Sequence, residues 1–77
     1  MRNVNKTIFH QLVAHFGSQE ATASALNVSQ PAVSGWVNGT KGMSELVALR
    51  TEKATNGEFK AMELCPSLKN LLEQLTA

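Results

Sequence analysis

The imidazoles of His10 and His15 and the thiol of Cys65 can ligate metals, carry protons or attack as nucleophiles, and the 77 residues hold no other imidazole or thiol. Their spacing fits none of these tasks. Five residues apart on a helix, His10 and His15 point about 140° from each other and cannot close on one metal ion. Cys65 has no spaced partner. A lone thiol makes no internal disulfide and ordinarily serves as a small buried hydrophobe. No glycine-rich motif of the kind that cradles phosphates accompanies them. The expectation is a protein that is not an enzyme, with no metal, no cofactor and no small-molecule ligand.

A second set of side chains is suited to recognition. Gln19, Ser29, Gln30, Ser34, Asn38, Thr40 and Lys41 all fall within residues 19–41. Amides and hydroxyls both donate and accept, and a glutamine can pair bidentately with N6 and N7 of adenine. A helix N-terminus or a lysine favours a phosphate oxygen. What these groups can reach depends on the elements that hold them.

Those elements are expected to be helices. Strand signals are weak, with no tyrosine and no alternating β-branched run. Over residues 5–16, Ile8, Phe9, Leu12, Val13 and Phe16 form an apolar stripe that stops at Gly17. A second helix is expected over residues 19–26, capped by Ser18. A third is expected over residues 30–38, capped by Ser29, with Pro31 in its first turn and Gly39 at its end. Ser44 opens a fourth over residues 45–55, closed by Asn56 and Gly57. A short fifth helix spans residues 61–64. A sixth spans residues 67–75 behind Pro66, with Leu68, Leu71, Leu72 and Leu75 at helical spacing. The fold class is all-α, with five to six short helices.

Helices two and three are joined by about three residues, and so short a bridge forces the steep crossing of a helix-turn-helix. Ala23 supplies a small residue where the helices meet. Asn27 tolerates the positive φ the turn needs, and Val28, Val33 and Trp36 are spaced to lock the third helix down. With Val33, Trp36 and Val37 inward, the helical wheel turns Pro31, Ser34, Gly35 and Asn38 outward and leaves Gln30 at the tip. The third helix of such a motif enters the major groove. The candidates for touching bases are therefore Gln30, Ser34, Pro31, Ser29 and Gly35. Pro31 offers apolar contact, and Gly35 offers close approach of the backbone. Gln19, at the start of the second helix, is placed to meet a phosphate.

The block QEATASALNVSQPAVSGWVNG, residues 19–39, resembles the helix-turn-helix of the lambda-repressor-like domain, especially that of phage Cro repressors. Residues 52–66, EKATNGEFKAMELCP, resemble the stretch after the fourth helix in Cro-like regulators of the YdaS type. Together the resemblance covers roughly residues 8–68 and includes the order of elements. It implies a lambda-repressor-like fold with the motif at helices two and three. It also implies a sequence-specific, double-stranded-DNA-binding transcriptional regulator, a Cro-like repressor of phage or prophage type acting on a palindromic operator. The residue matching Gln19 contacts the DNA backbone in that family. The loop matching Asn38, Thr40 and Lys41 grips phosphate. Two departures stand out: Asn27 takes the place of the commoner turn glycine, and Gly35 that of a residue that often reads bases.

Charge is permissive rather than diagnostic. The net charge is only +1. Residues 1–43 carry Arg2, Lys6 and Lys41 against Glu20, which is +2. Residues 44–77 carry Arg50, Lys53, Lys60 and Lys69 against Glu45, Glu52, Glu58, Glu63 and Glu73, which is −1. No apolar run approaches the ~20 residues of a membrane helix. The polar N-terminus lacks the apolar core of a signal peptide. No membrane association is expected, and the expected location is the cytoplasm of a bacterial host, at the nucleoid. The expected organisation is a DNA-binding domain over residues 1–66 and an amphipathic helix over residues 67–77 that docks or dimerises. The expected partners are double-stranded DNA and a second copy of the chain, in solution or only on DNA. The rival reading is a small helical protein-interaction module, or an antitoxin-like regulator of a toxin partner, acting through the leucine stripe.

Overall fold

The computed structural model describes residues 7–76, and these are all-α, with no strand among them. Six helices follow in order: α1 (Ile8–Phe16), α2 (Gln19–Leu26), α3 (Gln30–Asn38), α4 (Glu45–Ala54), α5 (Ala61–Leu64) and α6 (Pro66–Thr76). Two compact units divide the chain, Met1–Gly42 with α1 to α3 and Met43–Ala77 with α4 to α6. The C-terminal helix is thus grouped with α4 and α5.

In the first unit every helix starts on a hydroxyl. Thr7 is extended and its Oγ1 accepts from the amides of Phe9 and His10, at 3.2 and 3.4 Å. The Thr7 amide donates in turn to His10 Nδ1 at 3.3 Å, closing a capping box with histidine in the place of the usual Glu or Gln. This cap sets the start of α1 at Ile8. Asn5 and Lys6, expected in this helix, lie outside the described residues. Ser18 Oγ accepts from the Ala21 amide at 3.0 Å and Ser29 Oγ from the Ala32 amide at 3.3 Å. Leu12, Leu26 and Val33 are fully buried, with Ala23 and Trp36 nearly so. Buried leucines of this kind each contribute about 2–5 kcal/mol relative to alanine. The Phe9 and Trp36 ring centroids lie 6.0 Å apart with their planes tilted by 34°, which joins α1 to α3.

The second unit buries Met43, Ala48, Phe59, Ala61, Leu64, Cys65 and Leu68. Its buried hydroxyls are satisfied locally. Thr51 Oγ1 donates to the Val47 carbonyl at 2.7 Å, and Thr55 Oγ1 donates to that of Thr51 at 2.9 Å while accepting from the Phe59 amide at 3.2 Å. Lys60 provides α5 with no side-chain cap, and the Glu52 carboxylate takes that role by accepting from the Ala61 amide at 2.8 Å. Of the α6 leucines only Leu68 is buried; Leu71, Leu72 and Leu75 are exposed, as are Leu46 and Leu49 on α4 and Met62 on α5. Among the described residues no helix is long and apolar enough to cross a membrane.

Candidate nucleic-acid interface

The turn between α2 and α3 sets the geometry of the motif. Asn27 adopts φ 58°, ψ 48°, the left-handed conformation that asparagine tolerates better than other L-residues except at a penalty glycine avoids. Its amide donates to the Ser24 carbonyl at 3.3 Å and that of Val28 to Ala23 at 2.9 Å. These are the two bonds of a Schellman ending, and they satisfy carbonyls that the end of α2 would leave open. Ser29 then restarts the helix, with Pro31 in the first turn where a missing N–H is harmless. Thr22, buried, donates through Oγ1 to the Ser18 carbonyl at 2.7 Å and steadies the start of α2.

α3 turns Val33 and Trp36 into the core, while Gln30, Pro31 and Asn38 are exposed and Ser34 is half-buried. Gln19 from the first turn of α2 joins Gln30, Pro31 and Ser34 of α3 as the lining of a single open depression. Two residues from different elements, expected respectively to meet phosphate and base, therefore share one concave surface. Asn38 Nδ2 donates to Ser34 Oγ at 3.3 Å, one turn apart on the exposed side of the helix.

Gly35 departs from the wheel-based expectation. It was expected to face outward beside Ser34; it is buried. The cause is the loop that follows. Gly39, at φ 81°, reverses the chain, and the amides of Thr40 and Lys41 donate back to the Gly35 carbonyl at 2.9 and 3.1 Å. The aliphatic stem of Lys41 then lies across the glycine. Gly35 is thus covered, while Ser29, Gln30, Pro31 and Ser34 are exposed or half-buried. Thr40 and Lys41 are exposed in the loop. The covering of Gly35 has only one trace in the sequence, the glycine at position 39 that allows the reversal.

Away from this surface, Cys65 is buried with its Sγ 3.2 Å from Ser67 Oγ. The Ser67 hydroxyl donates to the Glu45 carboxylate at 2.7 Å and holds that carboxyl below its ordinary value. Among the described residues no group of three or more His, Cys, Asp or Glu is placed to hold a metal ion.

This order of helices, caps and turn runs through the part of the chain that a known family matches. The model of the family described as bacterial toxin YdaS aligns with residues 9–70. The chain belongs to the YdaS family. It is 54% identical over 61 residues to the regulatory protein Cro of Pseudomonas phage D3, covering 79% of this chain and 84% of the phage protein. It is 37% identical over 60 residues to YdaS of Escherichia coli (strain K12), which carries the name of a transcriptional regulator; that match covers 78% of this chain and 61% of the other. No solved structure matches the chain. The family alignment runs from α1 into the first turns of α6, and so includes the turn at Asn27 and, of the α6 leucines, Leu68.

Proposed function

We infer that this Cro-like transcriptional regulator binds double-stranded DNA sequence-specifically, with α3 in the major groove and α2 across the backbone. The observation that carries the reading is the shared surface of Gln19, Gln30, Pro31 and Ser34, which groups hydrogen-bonding side chains from both helices on one exposed side of a helix-turn-helix. In this reading Gln30 and Ser34 touch base edges, Pro31 packs on a thymine methyl, and Ser29 supplies a hydroxyl at the helix tip while capping α3. Gln19, Asn38, Thr40 and Lys41 hold phosphates and fix the register without reading sequence. The regulator acts as a repressor of phage or prophage type in the bacterial cytoplasm, on a palindromic operator.

The chain acts as a homodimer in this reading, and the second copy covers the exposed leucines of residues 43–77. Few side chains on one α3 can read bases and the net charge is only +1, so one copy alone binds weakly. Two-fold dimers on half-sites about one helical turn apart overcome this.

The test is an equilibrium titration of duplex DNA at several salt concentrations. A DNA-binding regulator loses affinity steeply as salt rises, through counterion release. Binding that is absent at low salt, or indifferent to salt, contradicts the reading and favours an interaction module acting through the leucines.

A further inference from the structure

We propose that Gly35 is a positioning residue for Lys41: the missing side chain forms the seat on which the lysine stem lies, and that seat aims the ammonium at a DNA phosphate. The inference rests on the DNA-binding reading and adds to it the reason why a glycine stands in the middle of the recognition helix.

Gly35 has ordinary helical backbone, so its φ gives no reason for glycine. In a helix interior glycine is a poor choice, because it leaves the backbone more freedom to lose than alanine does. The surroundings supply the reason. A Cβ built at position 35 would lie 2.9 Å from each of Cβ, Cγ and Cδ of Lys41. Real carbon contacts sit at about 3.5–4.0 Å. The clash falls on the root of the lysine side chain rather than its free end, so a rotation of the ammonium alone would not relieve it. The root is also fixed by its own backbone, since the Lys41 amide donates to the Gly35 carbonyl at 3.1 Å. Glycine thus permits a lysine stem to lie flat on the helix that carries Gln30 and Ser34, and the loop bonds hold it there. A lysine held this way loses less freedom on meeting a phosphate than one on an open loop.

The test is a double-mutant cycle on Gly35→Ala and Lys41→Ala, read by duplex affinity against salt and by a panel of single-base operator variants. Alanine is the better helix former, so Gly35→Ala keeps α3. G35A weakens binding to every sequence alike, roughly eightfold per chain at 0.1 M salt, and lowers the salt slope by about one per chain, the signature of one lost phosphate contact. K41A does the same, and the double variant is no weaker than either single one. Additive losses, or a G35A protein that changes base preference while keeping its salt slope, overturn the proposal while leaving the DNA-binding reading intact. A wild type that binds no duplex at low salt overturns both. Nuclear Overhauser cross-peaks between the Gly35 α-protons and the Lys41 side-chain methylenes in the unmodified protein decide the matter if G35A does not fold: their presence supports the seat, and their absence overturns it.

Discussion

Asn38 donates a hydrogen bond through Nδ2 to the hydroxyl of Ser34, one turn earlier on α3, at 3.3 Å. The bond connects a residue proposed to hold phosphate with one proposed to read a base, and a hydroxyl that accepts one bond can still donate another. Removing either side chain therefore disturbs the other.

Ser34→Ala should cost both specificity and register, because Asn38 loses its support. Gln30→Ala should cost about 1–3 kcal/mol of discrimination, confined to one base position per half-site. Lys41→Ala should weaken all sequences evenly. Competition binding against operator variants separates the three: a Gln30→Ala protein that loses affinity uniformly would remove Gln30 from the base-reading role.

Asn27 in the left-handed region predicts an ordered pair of effects. Asn27→Ala should destabilise the first unit by about 1 kcal/mol, because alanine tolerates the left-handed conformation less well than asparagine. Asn27→Gly should be close to neutral, the relief at positive φ being offset by the freedom glycine adds to the unfolded chain. Urea unfolding of the two variants checks the order. An alanine variant as stable as the wild type would mean that the turn relaxes to another conformation.

Much of this geometry was legible in the sequence. The bounds of α2 and α3 follow from Ser18, Ser29, Pro31 and Gly39, because caps and breakers act locally and need no knowledge of the fold. Trp36 could be assigned to the core from spacing alone. Gly35 could not be placed, since the wheel considers a helix in isolation and a later loop covers this residue. The same holds for Glu52, nine residues before the α5 amide it caps, and for Glu45, which meets Ser67 from another helix. The leucine stripe of α6 read correctly as a stripe, but periodicity does not tell which of its members the domain itself buries, and only Leu68 is among them.

The Glu45 and Ser67 pair predicts a pH dependence. The Ser67 hydroxyl lowers the folded-state pKa of Glu45 from its ordinary 4.5. A carboxyl lowered on folding stabilises the folded state fully above the unfolded value, and the contribution disappears as pH falls through the lower, folded one. Thermal unfolding of wild type and Ser67→Ala should therefore differ at neutral pH and draw together in acid. Glu45 is fully exposed, so the difference is small and screened by salt. A gap that stays constant from neutral pH into acid would show that the bond to the carboxylate contributes nothing.

The exposed leucines predict an association that charge abolishes. Leu75 is 72% exposed and Leu71 45% exposed on α6, with Leu46 66% exposed on α4. Leu71→Lys and Leu75→Lys should leave helix content unchanged while shifting the chain to monomer in sedimentation and weakening DNA binding. The loss on DNA should be larger on a palindrome than on a single half-site. Unchanged sedimentation of both variants would remove α6 from the dimer interface.

Selection of bound duplexes from a random pool tests the central claim most directly. A helix-turn-helix dimer predicts a palindromic consensus with half-sites about one helical turn apart, with less duplex retained overall as salt is raised during washing. A pool that shows no enrichment even at low salt would contradict the claim that residues 19–41 form a DNA-reading surface.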